Sequence, residues 1–513
     1  MTMAIASTLR WIQQVVQQVI QRQPLLFLLT LALAIRLYHF DAPILGIHAW
    51  RQSDTAAIAR NFYENGFNFF YPQIDWGGSG RGYCETEFPI YSFLVAILYK
   101  LFGVHDAVGR LFSIAWCLVG IVFLYQLARD LFEEKTAFWS CLFYSILPLS
   151  VYYSRTFQPE SMLMACSIIS IFYFKRWLDS AKSSALLTSS LFLTIACLMK
   201  VLPLLYLGVP LLYLAFSHFG QKAWRQPQLW GYLIVPIVSV VLWYGHAHQL
   251  FLTYGNTFGF SAATTDRYTY SILLTPYFWS EILVKVAVRH FAMIGFFTFI
   301  AGLFCIKGRS AVLLFVWLLT ASLCWILVPV TSVVHEYYLL PFMIPGVMVM
   351  GKACSVYLAT NTRQNQLANK TFAERAIAVG ITLTFVSSAA FYSIDYMNKE
   401  NSQTSPVFAL AQQIKALTQP TDLMISTTGG DPTLLYLSHR KGWLVNPADV
   451  TPARLAQNIK QGANYLVGSF DFVESYTGSM GEGEQQVIRN ALQRYPNTIE
   501  SFRNYIARLK PKT

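Results

Sequence analysis

The chain has 513 residues, of which 55% are hydrophobic and 12% charged, with a formal net charge of +12. A soluble domain carries about 25% charged residues, so this composition excludes an ordinary water-soluble enzyme and predicts a polytopic membrane protein. The basic excess lies mainly in short loops between apolar segments, which sets aside nucleic acid as its partner.

The eight cysteines show no CxxC or other metal-ligand spacing, and all but Cys84 fall in or at the ends of apolar segments. A disulfide framework or a zinc site is therefore not expected. At the N-terminus, residues 11–22 are amphipathic and Gln-rich, which predicts an interfacial helix. No small-residue cleavage site follows a suitable apolar core, so no cleaved signal is expected.

The first span is predicted over 24–40. A polar loop, 41–87, follows it. The loop opens on His48-Ala-Trp-Arg-Gln-Ser-Asp54 and holds Asp41, Asp54, Asp75, Glu85 and Glu87 among Arg51, Arg60 and Arg81. A carboxylate at a membrane face can take the proton of an acceptor hydroxyl or amine. Asp54, flanked by the stacking surface of Trp50 and the cation of Arg51, is the first candidate, against the ordinary alternative of a salt-bridged loop residue. Glu85 and Glu87 point alike if the chain is extended. Glu87 is the better candidate of the two, and capping of the next helix is the alternative for both.

The segment 88–102 begins Phe-Pro, ends at Lys100 and Gly103, and is short for a span. Further spans are predicted near 107–128, 136–153, 160–178, 184–199, 201–217, 229–247, 288–306, 311–328, 337–356 and 376–395, about eleven in all. If 88–102 does not cross, one side receives Arg10, Arg22, Arg129, Lys135, Lys175, Arg176, Lys182, Lys222, Arg225, Lys307, Arg309, Arg363, Lys370 and Arg375. If it crosses, the asymmetry reverses. The positive-inside rule favours the first arrangement, with a cytoplasmic N-terminus.

That topology gathers the unusual polar residues on the outer face. Arg155 and Glu160 stand at the outer start of a span, where an unused acid is costly but capping is an alternative. Lys200 sits between two spans, either snorkelling or binding phosphate as a point charge. Arg289 and His290 raise the same question. His335, Glu336 and Tyr337 stand at an outer mouth, suited to sugar hydroxyls or phosphate, whereas Tyr338 fits an aromatic belt. Arg36 and Arg110 are weaker candidates, and His246 and His248 fit an interface better than a metal. Residues 398–513 are mixed-charge, with turns at Gly429-Gly430, Gly478 and Gly481. Strands are expected at Asp422–Thr427 and Asn464–Val467 and helices at Asp431–His439 and Thr451–Gln461, which predicts a small α/β extracytoplasmic domain. The predicted division is 1–397, an α-helical transmembrane part with interfacial helices, and 398–513.

The ordered set Trp50-Arg51-Gln52-Ser53-Asp54, Glu87-Phe-Pro-Ile-Tyr91, Gly103, Arg110, Arg155 to Glu160, Lys200 and His335 to Pro341 resembles the GT-C glycosyltransferases. The likeness is to the family 39-like branch of protein O-mannosyltransferases and aminoarabinose (lipid A) transferases, and covers about residues 24–350. The resemblance implies a polyprenyl-phosphate-linked sugar donor, an extracytoplasmic acceptor (lipid, polysaccharide or protein), and inversion at the anomeric carbon, in the plasma (inner) membrane. It implies catalytic roles for Asp54, Glu87 and Glu160, and donor phosphate or sugar contacts for Arg51, Lys200, Arg155, Arg289, His335, Glu336 and Tyr337. Some GT-C enzymes place a divalent ion on the first-loop acid and others need none. If metal is used, Asp54 and Glu160 would supply oxygen ligands for Mg²⁺ or Mn²⁺. Phe88 departs from the pattern, since aminoarabinose transferases carry Lys there, and Arg51 or Arg81 is the substitute cation. A transporter or flippase of lipid-linked glycans and a non-catalytic scaffold are the competing classes. Transporters place ionisable groups near the midplane, whereas 311–328 is uncharged and the acids cluster in outer loops.

Overall fold

The computed structural model describes residues 22–258, 269–358, 367–473, 479–495, 498–501 and 503–509. The predicted interfacial helix, apart from Arg22, and the turn at Gly478 lie outside them. The chain is an α-helical membrane protein with a small C-terminal sheet domain. Among the described residues, six helices are long and apolar enough to cross a bilayer: Asp106–Leu131, Glu160–Ser180, Pro203–Arg225, Pro227–Tyr254, Gly308–Leu327 and Glu336–Tyr357. The second and sixth are the most enclosed, at 83% and 89% buried, and form the centre of the bundle, while Pro227–Tyr254, at 28%, lies at its rim. Pro24–Leu37 and Ser183–Met199 are shorter apolar helices, and Leu367–Phe391 stands where the last span is predicted.

Two predicted spans are broken. The 136–153 segment divides into Glu134–Ile146 and Pro148–Tyr153. Leu147 is extended there because proline disfavours a helical residue before it and brings no N–H of its own. The 288–306 segment is the second half of a bent pair, Pro276–His290 and Ile294–Leu303, turned by 100°. Ala292 and Met293 take positive φ at the bend, which a continuous helix does not allow. The segment after the first loop forms Ile90–Phe102, 13 residues. At 1.5 Å per residue it is about 20 Å long, less than the hydrocarbon core.

In the C-terminal domain, β1 (Leu423–Ser426), β2 (Lys441–Leu444), β3 (Ala463–Ser469), β4 (Thr498–Ser501) and β5 (Asn504–Arg508) form one sheet in the order β2-β1-β3-β5-β4. β1 pairs in parallel with β2 and β3, and β5 is antiparallel to β3 and β4. The helices Thr433–Ser438 and Pro452–Lys460 fall where the sequence predicts them. Helix Glu482–Leu492 is additional, and its Ile488, Ala491 and Leu492 join Ile425, Leu466 and Tyr505 in a separate core.

This domain sits on the first polar loop. Gly78 N donates to Gly442 O at 2.7 Å, and Gly442 N donates to Asp75 O at 3.0 Å. At Gly78 (φ +66°) a Cβ would lie 2.5 Å from Trp443 Nε1, so this close approach requires glycine. Tyr436 Oη donates to Asp106 Oδ1 at 2.5 Å.

Candidate functional site

The first polar loop is not irregular throughout. It contains the helix Ala49–Asn65, which begins after His48 and ends at Gly66 in the left-handed conformation. The returning segment of the loop is fixed by a buried Arg60–Asp75 ion pair, by Asn61 Nδ2 donating to Asp75 Oδ1 at 3.1 Å, and by Ile74 N donating to Gly82 O at 2.9 Å. Cys84, the one loop cysteine, is buried, and burial pushes its thiol pKa well up. It behaves as a small apolar side chain.

Asp54 projects from this helix into a buried position. Trp76 Nε1 donates to Asp54 Oδ1 at 2.9 Å. Burial pushes the Asp54 carboxyl up to about 7, the Trp76 hydrogen bond and Arg51 oppose that rise, and the nearby carboxylates of Asp75 and Asp431 add to it. Asp431 comes from the C-terminal domain, where its Oδ1 also accepts from Thr433 N at 2.8 Å. Ser53 Oγ donates to Thr433 Oγ1 at 3.4 Å beside it.

One turn back on the same helix, Arg51 pairs with Glu87. Residues three apart share a helix face, so Asp54 and Arg51 point to neighbouring regions. Arg51 also faces Glu160, Tyr337 and Tyr338 electrostatically. Lys200 Nζ meets Glu160 Oε1 at 2.8 Å and stands over the rings of Tyr337 and Tyr338, 4.5 and 4.4 Å from their centroids. Two cations, two carboxylates and two phenols thus converge from four separate stretches of sequence. Tyr338, predicted as a belt residue, belongs to this cluster through its contact with Lys200. His335 completes it, with ring centroids 5.3 Å from Trp50 and 5.5 Å from Tyr337.

Other predicted residues lie elsewhere. Glu85 diverges from Glu87: it contacts Thr257 and lies 3.4 Å from His248 Nδ1, tying the loop to the end of a rim helix. The expected shared pocket for the two acids is not formed, since Glu87 pairs with Arg51 instead. His246 meets Phe70 O at 2.7 Å. Arg155 is fully buried on Glu400 at 2.9 Å, with His39 O at 2.7 Å and Tyr392 Oη at 2.8 Å, and Arg110 lies 3.7 Å from the same Glu400. Arg155 therefore turns away from its sequence neighbour Glu160. Arg289 pairs with Glu336 at 2.8 Å and Asp395 at 3.3 Å, and Glu336 also accepts from Tyr153 and Tyr396. Arg36 is held by Ser154 Oγ at 2.5 Å and Ser145 O at 3.0 Å. Of the two substitutes for a lysine at position 88, Arg51 touches Glu87, whereas Arg81 is exposed and donates to Tyr83 Oη at 3.2 Å. Phe88 packs against Phe69 and Trp243.

A divalent ion does not fit this donor set. Among the described residues no three His, Cys, Asp or Glu side chains converge on one point. Asp75 is engaged by Arg60 and Asn61, and Glu160 by Lys200. The sequence does not point to Trp76, Asp431 or the position of His48. Trp76 follows Asp75 in the acid-rich loop, and its indole N–H is a donor that seeks a partner when enclosed. That was the one available signal.

Residues 86–244 match the family model described as dolichyl-phosphate-mannose-protein mannosyltransferase. A search of curated protein sequences finds no match. Among solved structures, ArnT from Cupriavidus metallidurans bound to undecaprenyl phosphate is similar over 94% of this chain and 98% of its own, with a TM-score of 0.65 at 15% identity. The Archaeoglobus fulgidus oligosaccharyltransferase tethered with an acceptor peptide is similar over 88% of this chain and 70% of its own, with a TM-score of 0.62 at 12% identity. The Archaeoglobus fulgidus protein AglB in complex with an inhibitory peptide and a dolichol-phosphate gives 0.58 at 12% identity, over 87% and 69%. At these identities the likeness is one of fold.

Proposed function

For a multi-pass membrane protein of the GT-C glycosyltransferase fold, we propose transfer of a sugar from a polyprenyl-phosphate donor to an extracytoplasmic acceptor, with Asp54 as general base. The acceptor hydroxyl gives its proton to the Asp54 carboxylate as its oxygen bonds to the anomeric carbon. The bond from that carbon to the phosphate oxygen breaks, and polyprenyl phosphate leaves with the electron pair. Configuration is inverted because attack and departure occur on opposite faces. A phosphate leaving group needs cations rather than a general acid. Lys200 and Arg51 supply them, and Glu160 and Glu87 hold those cations in place.

The observation that carries this reading is the buried Asp54 carboxyl with a proton affinity near neutrality, one helical turn from Arg51. A base poised near the working pH is what proton abstraction from a hydroxyl needs. On this reading the chain lies in the plasma membrane with its N-terminus in the cytoplasm. Residues 398–513 form the extracytoplasmic domain, which presents Asp431 and Thr433 beside Ser53 and Asp54 on the acceptor side. The test is transfer from labelled undecaprenyl-phosphate sugars to membrane extract by purified wild-type and Asp54→Asn protein. Transfer that is lost in folded Asp54→Asn supports the reading, and equal transfer by both removes Asp54 as the base.

A further inference from the structure

His48 opens the motif that stands out in the sequence, and the transfer chemistry above leaves it without a part. Its backbone is left-handed, φ +54° and ψ 35°, a conformation uncommon for a residue with a Cβ and one that persists where the surroundings impose it. Its ring is enclosed by other rings, with centroids 5.2 Å away for His335, 5.2 Å for Tyr337, 6.4 Å for Trp50 and 6.4 Å for Tyr153. The Nδ1 atom is buried and makes no hydrogen bond among the described residues. Nearby, Glu160 Oε2 is also buried without a hydrogen bond among the described residues, although Oε1 of the same carboxylate meets Lys200.

From this geometry we infer that His48, Trp50, His335 and Tyr337 form the subsite for the sugar ring of the lipid-linked donor, with His48 Nδ1 bonding a ring hydroxyl. The inference rests on the glycosyltransferase reading and assigns the part of the donor that Lys200 and Arg51 do not hold. Three ligand classes can be weighed. An anion would meet Glu160, which also faces His48 electrostatically, and the negative faces of the surrounding rings. A cation would meet Lys285 and Arg289, both of which face His48 electrostatically. A neutral hydroxylated ring fits, because its C–H face packs on aromatic carbon while its hydroxyls serve the ring nitrogen. Burial, reinforced by Lys285 and Arg289 and opposed by Glu160, pushes His48 down to about 3. It is therefore a neutral imidazole at physiological pH, able to offer one N–H and one acceptor nitrogen. Leaving such a buried polar atom unmet is costly, and a ring hydroxyl relieves that cost. Trp50, His335 and Tyr338 are each only half-buried, and Tyr338 also stands against Lys200.

The experiment uses the full-length purified protein and two probes, undecaprenyl phosphate and undecaprenyl phosphate carrying a hexose or a 4-amino pentose. His48→Gly removes the ring without opposing the left-handed backbone, and His48→Asn keeps a polar side chain that tolerates it. In wild type, at least one sugar-bearing lipid should bind more tightly than the bare lipid. His48→Gly should weaken that lipid by about tenfold, the scale of one lost hydrogen bond, while bare undecaprenyl phosphate binds as before, and His48→Asn should recover part of the loss. Equal weakening of both lipids, or no weakening of either, overturns the sugar subsite alone. So does wild-type protein that does not distinguish the two lipids. Wild-type protein that binds neither lipid overturns the glycosyltransferase reading and the subsite with it.

Discussion

The indole N–H of Trp76 donates to Asp54 Oδ1 at 2.9 Å, so the residue proposed as base is held by a donor from the returning segment of its own loop. This bond favours the ionised carboxylate, against burial, which favours the neutral acid. Trp76→Phe keeps most of the ring volume and removes the donor. A hydrogen bond to a charged group contributes about 1.5–3 kcal/mol, and one pKa unit is about 1.4 kcal/mol. The pH dependence of transfer should therefore move upward by about one unit or more in Trp76→Phe. An unmoved profile would mean that the bond does not persist in the working enzyme.

The sign of the wild-type profile follows from Asp54 itself. A base acts when deprotonated, so the rate should rise with pH and level off above about 7. Asp54→Asn should lower transfer by about 10² to 10⁴-fold and abolish that rise. Folding stability runs the other way. The folded state holds the Asp54 proton up to about pH 7, whereas the unfolded chain releases it near the ordinary value of 3.8. The stability contribution is therefore lost as pH rises between those values. Asp54→Asn should accordingly have a higher Tm than wild type at pH 8 and a similar one at pH 4, measured in detergent.

Asp431 adds a second carboxylate near Asp54 from a different domain. Asp431→Asn keeps an oxygen that can accept from Thr433 N and removes the like charge. The transfer profile should move downward in pH, opposite to Trp76→Phe. Because the residue belongs to the domain proposed to meet the acceptor, the acceptor KM should change more than the donor KM. A change confined to the donor KM would place the domain on the wrong side of the reaction.

The legible part of this architecture is the part with local signals. Apolar runs of span length and the basic loops between them announce the bundle. Glu87, Glu160 and Lys200 stand out as charges at the ends of apolar segments, and Arg51 and Asp54 as charges in the polar loop between two of them. The helix Ala49–Asn65 is not legible, because residues 51–62 are buried all round. A helix enclosed by its own loop and by a second domain shows no apolar stripe to mark it. Glu400 is invisible for a different reason. It lies 245 residues from Arg155 and near the junction of two composition types, where an acid reads as solvated linker. Adjacency in sequence pairs Arg155 with Glu160, but adjacency across a Pro159 turn does not fix where a long side chain points. The breaks at Pro148 and at Ala292-Met293 divide apolar runs whose composition alone cannot show a bend.

Glu400 is the shared counter-charge of two buried arginines, at 2.9 Å from Arg155 and 3.7 Å from Arg110. Removing it leaves both guanidinium groups uncompensated, and breaking a buried pair costs about 3–5 kcal/mol. Glu400→Gln should lower the Tm clearly, while the donor KM of the protein that stays folded remains close to wild type. Arg155→Met combined with Glu400→Met should be less destabilised than the sum of the two single changes. A large effect on donor KM without loss of Tm would instead return Arg155 to the donor site.

Lys200 and Glu160 form the last testable pair. The ammonium meets Glu160 Oε1 at 2.8 Å and is enclosed by Tyr337 and Tyr338, so a donor phosphate competes with Glu160 for the same charge. Lys200→Ala should weaken binding of undecaprenyl phosphate by about tenfold or more, in line with a charged contact of roughly 1.5–3 kcal/mol. Lys200→Arg should recover part of the affinity, since it keeps the charge but not the compact point-like geometry. Glu160→Gln removes the competitor and should leave lipid binding equal or tighter, while turnover falls if the carboxylate is needed to hold Lys200 against the leaving phosphate. The reverse order, with Glu160→Gln losing the lipid and Lys200→Ala keeping it, would show that the donor is not held by this ammonium. The phosphate contact would then pass to Arg51, the remaining cation of the cluster.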